Sequence, residues 1–565
     1  MSSENPKGLC LELAAATVER FLGLQWSDGR FATEPERETE EWNFFDQQYL
    51  LPAALLYVTE HPANRWQGDA RLWEAILRNG RHLVGRVAED GSMRWRLRGV
   101  VLDSPFVCQR LTCAWLLAYG LLRGRLPEAD EAQWRRAMLA ACGWLVEKHI
   151  MPHREVTRFT SHQIRTSTNH FSLYLSLLWL AGTEFERGEW VALASDLMRR
   201  LIADQKPAGY WEEHHGPTLG YDYLTYHGVE QYTTWSGDDV GLPALRLGMD
   251  THQHWTYPDG IAVECLDGRM RHLSGPMLWG LAGFTRFPQG RGYARLLLER
   301  TGEKLADVSG ETVARLAEGY LRAEEGEEET PAPLLPRYRA TLEGVSVIRK
   351  EGPWVAAISG QCSPRWPESQ FNLDRQARVS LWQAGAGLVL DGSNSKFQPE
   401  LATFCRGEGE EADHVPQSAR LVAGEGDPED VVEAEHRGFR ATVRSRMHGA
   451  DGVEMRFEVA GGEGGPPVML TLVPNISLGE TFSLAGGAEV TLGETALALN
   501  PSEHGGAIAF RGVRLHLPEG SRIEYPVSPF NSYSADNTSP PSANRLVVRG
   551  PVGRKGATLI AKPSS

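Results

Sequence analysis

From Leu11 to about Arg322 the apolar residues return with a helical period. Trp134, Met138, Ala141 and Leu145 fall at i, i+4, i+7 and i+11, and Phe171, Tyr174, Leu175, Leu178 and Trp179 at i, i+3, i+4, i+7 and i+8, so each set forms one stripe facing a core. Comparable stretches lie near 44–59, 69–87, 106–123, 189–204, 274–285 and 311–322. Turn-rich pieces such as Glu89-Asp90-Gly91-Ser92 and Tyr257-Pro258-Asp259-Gly260 separate them. Helices paired along the sequence in this way predict an array of helical hairpins. No strict repeat motif runs through them, which favours a closed or partly closed ring over a regular solenoid.

The period changes after an acidic, proline-ended run, Glu324-Glu325-Gly326-Glu327-Glu328-Glu329-Thr330-Pro331-Ala332-Pro333, which reads as a linker over 324–336. Beyond it Val453, Met455, Phe457 and Val459 alternate with Glu454, Arg456 and Glu458. Phe439, Ala441, Val443 and Met447 alternate with polar neighbours in the same way, and Val513, Leu515 and Leu517 continue the pattern. Period two with one wet face predicts antiparallel strands. The expected chain is therefore an α+β multidomain protein, with a helical-hairpin domain over 1–323 and an antiparallel β-sandwich over 337–565.

Length agrees with two domains, since 565 residues exceed the roughly 250–300 at which a single core stops growing. A hydrophobic content of 41% with 23% charged residues is that of a globular protein rather than a disordered one. The formal charge of -15 opposes general nucleic-acid binding, so an acidic ligand has to be met by local groups. No secretion signal or membrane-length apolar run is visible, which sets the expectation of a cytoplasmic protein without a membrane partner. Seven scattered cysteines without a CxxC predict buried, reduced thiols rather than a disulfide framework or a thiolate zinc site.

Candidate chemistry concentrates between Ser167 and Tyr232. Ser167-Thr168-Asn169-His170-Phe171 opens an apolar helix, and Gly209-Tyr210-Trp211-Glu212-Glu213-His214-His215-Gly216-Pro217 is followed by Tyr221, Asp222, Tyr223, Tyr226 and His227. Aromatic faces stack on pyranose rings, amides and imidazoles bind carboxylates, and a phenol can exchange a proton when its surroundings move its pKa from about 10. Such a mixture suits a sugar acid. His252 and His254 have ligand-like spacing but no evident third partner, so no metal or other cofactor is expected.

The order of a helical half and an antiparallel half, with Thr168-Asn169-His170, the segment from Glu212 to Tyr226, and Phe371-Asn372-Leu373-Asp374-Arg375 leading to Gly387-Leu388-Val389-Leu390-Asp391-Gly392, resembles the heparinase II/III-like and alginate-lyase-like polysaccharide lyases. The order and spacing of these pieces carry the resemblance. It implies an N-terminal (α/α) toroid, a C-terminal β-sandwich, and β-elimination at the uronic acid of an anionic polysaccharide or oligosaccharide. A base removes the proton next to the carboxylate and an acid protonates the departing glycosidic oxygen. The carbanion would add a second negative charge to the carboxylate, so that group must first be neutralised. Asn169 and His170 match the family's neutralising pair, with His170 the alternative base for one epimer. Tyr221, and after it Tyr226, match the acid/base tyrosine; five residues apart, they face different sides of a helix. Trp211, Glu212, His214, His215 and His227 are candidate substrate contacts, and Arg165 and Arg269 candidate sources of positive charge. Some relatives hold a metal in the β domain through histidine, whereas Asn372 and Asp374 have no histidine adjacent.

Two other classes fit the same residues. A glycoside hydrolase on a helical ring would draw an acid and a base from Glu212, Glu213, Asp222, Asp238 and Asp239. A non-catalytic carbohydrate-binding protein would use the aromatics alone.

Overall fold

The computed structural model describes residues 5–33, 44–97, 100–267, 269, 275–363, 369–375, 378–392, 396–422, 426–462, 464–534 and 536–564. They form two compact units. One comprises 1–213, 221–253 and 275–331, and the other 214–220, 254–274 and 332–565.

The first unit is helical. Its longer helices are α1 (Pro6–Ala16), α2 (Leu50–Val58), α3 (Ala70–Arg86), α4 (Gln109–Leu122), α5 (Glu128–Leu145), α6 (Thr168–Glu184), α7 (Gly188–Ala203), α8 (Leu219–Ser236), α9 (Leu242–His254), α10 (Pro288–Gly302) and α11 (Gly310–Arg322). Two kinds of helix alternate along the chain. In α2 every residue from Leu50 to Leu56 is buried, and α4 and α6 bury residues on all sides. By contrast α3 buries only Leu72, Ala75, Ile76, Asn79, Gly80 and Leu83, one stripe at helical spacing, and α7 does the same with Ala194, Leu197, Met198, Leu201 and Ile202. A helix apolar all round belongs inside, and one with a single apolar stripe belongs outside.

The contacts close the inner helices into a ring. Helix α2 packs on α4, α4 on α6, and α11 on α2. The Ser176 hydroxyl of α6 donates to Gln231 of α8 at 2.8 Å, and a Cβ on Gly228 would lie 2.7 Å from Ser172, so these two helices approach closely because Gly228 has no side chain. Arg322 of α11 then reaches Glu230 of α8. Helix α1 packs on both α10 and α11, joining the start of the unit to its end. This is an (α/α) toroid. A hairpin that the helical pattern did not announce, Met93–Leu97 with Val100–Phe106, interrupts it. Of the stretch expected to be helical near 274–285, the described part is helical only over Leu281–Phe284. Gly280 there adopts φ +73°, and a Cβ on it would fall 2.3 Å from the ring of Tyr226.

The second unit is antiparallel throughout. One sheet has nine strands and two have five. Strand Val453–Ala460 pairs with Arg440–Met447 along its whole length, with Val453, Met455 and Phe457 buried as their alternation requires. Strand Val513–His516 lies two places away, beside Ala557–Pro563. A shared core, including Trp354, Leu381, Phe404, Phe457, Leu515 and Val548, makes it a β-sandwich.

The acidic run differs from the linker the sequence suggests. Arg295 holds the Glu328 carboxylate through two nitrogens at 2.6 and 2.7 Å, Arg291 donates to the Glu327 carbonyl at 2.7 Å, and the Glu329 amide donates to Pro288. The run up to residue 331 is thus fastened to α10. The segments 214–220 and 254–274, which fall inside the expected helical domain, group with the strand-rich unit instead. No helix among the described residues is long and apolar enough to cross a membrane.

Candidate active site

Four of the inner helices carry polar residues in their first turn: Asn169 and His170 in α6, Tyr221 in α8, Arg110 in α4 and Glu311 in α11, the last two joined by a hydrogen bond.

Asn169 is fully buried, and its amide nitrogen lies 2.8 and 2.7 Å from the two carboxylate oxygens of Glu213, itself 2% exposed. The backbone amide of Asn169 also donates to Glu213, at 3.3 Å. Two carboxylate oxygens facing the side chain leave only one stable orientation of the amide, with nitrogen toward Glu213. Its oxygen, Oδ1, is buried with no hydrogen-bond partner among the described residues. Glu213 is the residue that the lyase reading of the sequence passed over in favour of Glu212. Glu212 instead pairs with Lys206 at 2.7 Å.

His170 is half-buried, with its ring 6.3 Å from that of Tyr174. Tyr174 in turn lies beside His149, with ring centroids 5.3 Å apart, and interacts with Arg110. Tyr221 is half-buried and also within electrostatic reach of Arg110. Arg110, which sequence reasoning missed, is held tightly. Its Nη1 donates to Glu311 at 2.8 Å, and its guanidinium carbon lies 5.4, 5.2 and 5.8 Å from the rings of Phe44, Phe45 and Trp279. Burial lowers its pKa, but Glu311 first and then Cys108 and Tyr221 raise it, and the net direction is upward. Only its place one residue before an apolar helical stripe could have pointed to it.

Several expected site residues belong to the packing instead. Tyr226 is 0% exposed, donates its hydroxyl to the Leu245 carbonyl at 3.0 Å, and fills a niche bounded by Gly248, Gly280 and Gly283. Burial raises its phenol well above the usual tyrosine range, so the second-choice acid/base is a core residue. Trp211 is likewise buried, with its indole donating to Leu201 at 2.8 Å, and offers no stacking face. His227 is 2% exposed; its Nδ1 accepts from the Gly280 amide, and its Nε2 lies 2.9 Å from Glu318 in a buried cluster with Arg315, Arg322 and Glu230. Burial lowers its pKa despite Glu318. Arg165 is exposed in the loop before α6.

His214, His215 and Arg269 lie in the strand-rich unit. Both histidines have positive φ, 52° and 63°. His214 and Arg269 come together around a cavity of about 10 Å3 with Asp267, Phe371, Leu373, Arg375 and Arg378. Arg269 pairs with Asp267 at 3.2 Å. The other motifs of the sequence explain this region. Arg375 donates to the carbonyls of Pro217 and Leu266 and to the Thr218 hydroxyl, tying both intruding segments down. The amide of Gly392 donates to Glu264, whose carboxyl burial first and Asp391 next push up to about 7. The Gly385-Ala386-Gly387 run is the turn between strands Arg378–Gln383 and Gly387–Leu390. His414 supplies the histidine absent from the neighbourhood of Asp374 in sequence, at 3.0 Å. No group of three potential metal ligands occurs among the described residues. His252 of the spaced pair stands against Asp222 at 3.1 Å, both fully buried.

No family model matches the chain, and no curated protein matches it in sequence. Solved structures do. A variant of chondroitin AC lyase from Streptomyces coelicolor A3 aligns over 100% of this chain and 80% of its own, at 14% identity and a TM-score of 0.50. Heparinase III aligns over 100% of this chain and 85% of its own, at 11% identity and a TM-score of 0.56. The class defined by the fold is thus the helical toroid with a C-terminal β-sandwich found in polysaccharide lyases. At this distance the likeness is one of fold.

Proposed function

We propose that the protein is a polysaccharide lyase that cleaves a uronic-acid-containing, anionic glycan by β-elimination. What supports this reading is the placement of Asn169, His170, Tyr221 and Arg110 in the first turns of three inner helices of a ring whose fold is that of such lyases. The Asn169 amide is committed to both oxygens of the buried Glu213, which fixes the start of α6, and the half-buried imidazole of His170 beside it is the group that meets a substrate carboxylate. The positive ends of the inner helices add a field that favours anions. Tyr221 takes the proton beside the carboxylate; the electron pair released forms the new double bond, the bond to the glycosidic oxygen breaks, and that oxygen takes the proton from Tyr221.

The hydrolase reading is weaker. Asp238 is paired with Arg199 at 2.7 Å, Glu212 with Lys206, Glu213 with Asn169 and Asp222 with His252, which leaves none of these four poised across a bond. The test is a screen of uronate-containing glycans, including heparan, chondroitin, alginate, ulvan and rhamnosyl-glucuronan types, followed by ultraviolet absorbance. An unsaturated product formed without uptake of water supports the lyase. A saturated reducing end identifies a hydrolase, and saturable binding without product identifies a binding protein.

A further inference from the structure

We propose that the strand-rich unit carries a glycan-binding surface of its own, in which the exposed rings of Phe371, Tyr533 and Phe397 stack against the sugars of an acidic polysaccharide. It takes its class of ligand from the lyase reading and otherwise stands apart from it, since holding a glycan requires no cleavage.

Among the described residues these three are the most exposed phenylalanine, tyrosine and tryptophan side chains, at 36, 42 and 41%. Singly exposed rings are common on protein surfaces. Here all three fall in loops that are fastened to one another. The rings of Phe371 and Tyr533 have centroids 6.1 Å apart and are tilted by 54°, and the ring of His214 lies 6.3 Å from Phe371. The Gln370 side chain donates to the Ser532 carbonyl at 2.9 Å, and Lys396 donates to the carbonyls of Ser369 and Asn372. The Phe397 amide donates to Asp374 at 2.7 Å, while Gln398 donates to the Ser528 carbonyl at 2.9 Å and accepts from the Phe530 amide at 2.7 Å. These bonds order the three loops and leave their rings outside. Phe397 is held at φ 54°, a left-handed conformation that suits glycine and not a bulky residue. Packing does not account for it, because the ring is exposed, and backbone strain kept without burial marks a position held for a ligand.

The neighbours of the rings decide what they meet. Ser369, Gln370 and Asn372 flank Phe371, and Asn531, Ser532 and Ser534 flank Tyr533, so flat rings stand among hydroxyls and amides. A protein or membrane partner is met by a contiguous apolar patch. Separate rings set among hydrogen-bonding groups match a sugar instead, whose C–H face is apolar and whose rim carries hydroxyls. Charge then selects among sugars. The cavity beside Phe371 is lined by Arg269, Arg375 and Arg378, and the Lys396 ammonium stands 5.2 Å from the centre of the Phe397 ring. Against these four cations stand the carboxylates of Asp267 and Asp374 and the exposed Asp536. The three guanidinium groups are buried, so water and salt screen them little. In a chain whose formal charge is -15, this local positive excess draws an anionic polymer to the surface and turns a neutral one to no advantage.

The experiment is affinity electrophoresis of the full chain through gels containing chondroitin sulfate, heparan sulfate, alginate or neutral dextran, in a Tyr221→Phe background so that the probe stays intact. At least one acidic polymer should retard the protein, and dextran should not. Phe371→Leu and Tyr533→Leu keep apolar bulk but lose the flat face, and each should raise the dissociation constant by about 2- to 10-fold. Tyr533→Trp should bind as the parent does. Equal urea midpoints check that the substitutions leave the fold intact, and Phe397→Leu, in a separate loop, gives an independent reading. Undiminished retardation of all three leucine variants, equal retardation by dextran, or no retardation by any acidic polymer overturns the proposal. Cleavage is scored separately on the protein that retains Tyr221. An unsaturated product together with undiminished binding by the leucine variants keeps the lyase and removes the surface; ring-dependent binding without product does the reverse.

Discussion

At the scale of single residues, the two tyrosines that the sequence could not separate have opposite surroundings. Tyr221 is half-buried beside a cation, and Tyr226 is sealed in a niche of glycines. Tyr221→Phe is therefore expected to reduce kcat by ~10²–10⁴ while leaving substrate affinity within a few-fold, as befits a group used only in the transition state. Tyr226→Phe is expected to keep full activity and to lower the unfolding free energy by about 1 kcal/mol, the usual contribution of one hydrogen bond. Steady-state kinetics and denaturant unfolding on both variants check this, and the reverse result exchanges their roles. Asn169→Ala should impair kcat and binding together, since it strips the buried Glu213 carboxylate of its amide partner at the turn that carries His170. The chemistry of this region was legible because amides, imidazoles and phenols are concentrated there. Which of them face one another was not. The Asn169–Glu213 and Arg110–Glu311 pairs join residues 44 and 201 positions apart, and only the closure of the ring brings them together.

At the scale of elements, the helical and strand periods were read correctly wherever one face is buried, because burial imposes the period. They failed where something else decides. The Met93–Leu97 hairpin is short, and around Gly280 the bulk of the Tyr226 ring dictates the backbone. The acidic run does contain the division between the units, after residue 331, but it is not a free connector. Charge and proline suggest a solvated connector, but α10 carries Arg291 and Arg295 at the spacing of one helical turn, and they fasten the run. Limited proteolysis should accordingly spare residues 324–331 in the parent protein. In a variant with both Arg291→Ala and Arg295→Ala this stretch should become an early cleavage site, read by mass spectrometry of the fragments. Early cutting there in the parent would mean that the two arginines do not hold it in solution.

At the scale of the whole molecule, buried ionisable groups set the response to acid. His82 is lowered to about 4, chiefly by burial, and His227 is lowered as well, so both are neutral in the folded state and gain protons more readily when unfolded. Their contribution to stability is greatest above about pH 6.5 and falls as the pH drops from there toward 4, whereas Glu264, pushed up to about 7 by burial, contributes in the opposite sense over the same range. Glu318 follows at lower pH. Burial raises its pKa, but Arg315 and Arg322 bring it well below the carboxylate range, so its contribution is present above the unfolded value of about 4.3 and is lost below it. Urea midpoints measured from neutral to acid pH on the parent and on His82→Gln check this, and the variant should gain stability relative to the parent as the pH falls from about 6.5 toward 4. A difference between the two that does not change with pH would rule this account out.

The passage of residues 214–220 and 254–274 out of the helical stretch and into the strand-rich unit bears on how such a chain can be inherited. A protein whose two units follow one another can be reassembled by a single exchange between genes, each half travelling with its own contacts. Here the first half encodes two pieces of the second, fastened by Arg375 and by the Gly392 amide on Glu264. A crossover at residue 331 would pair those pieces with a foreign partner that lacks their anchors. The two halves are therefore expected to have diverged together, with Thr218 and Arg375 changing as one.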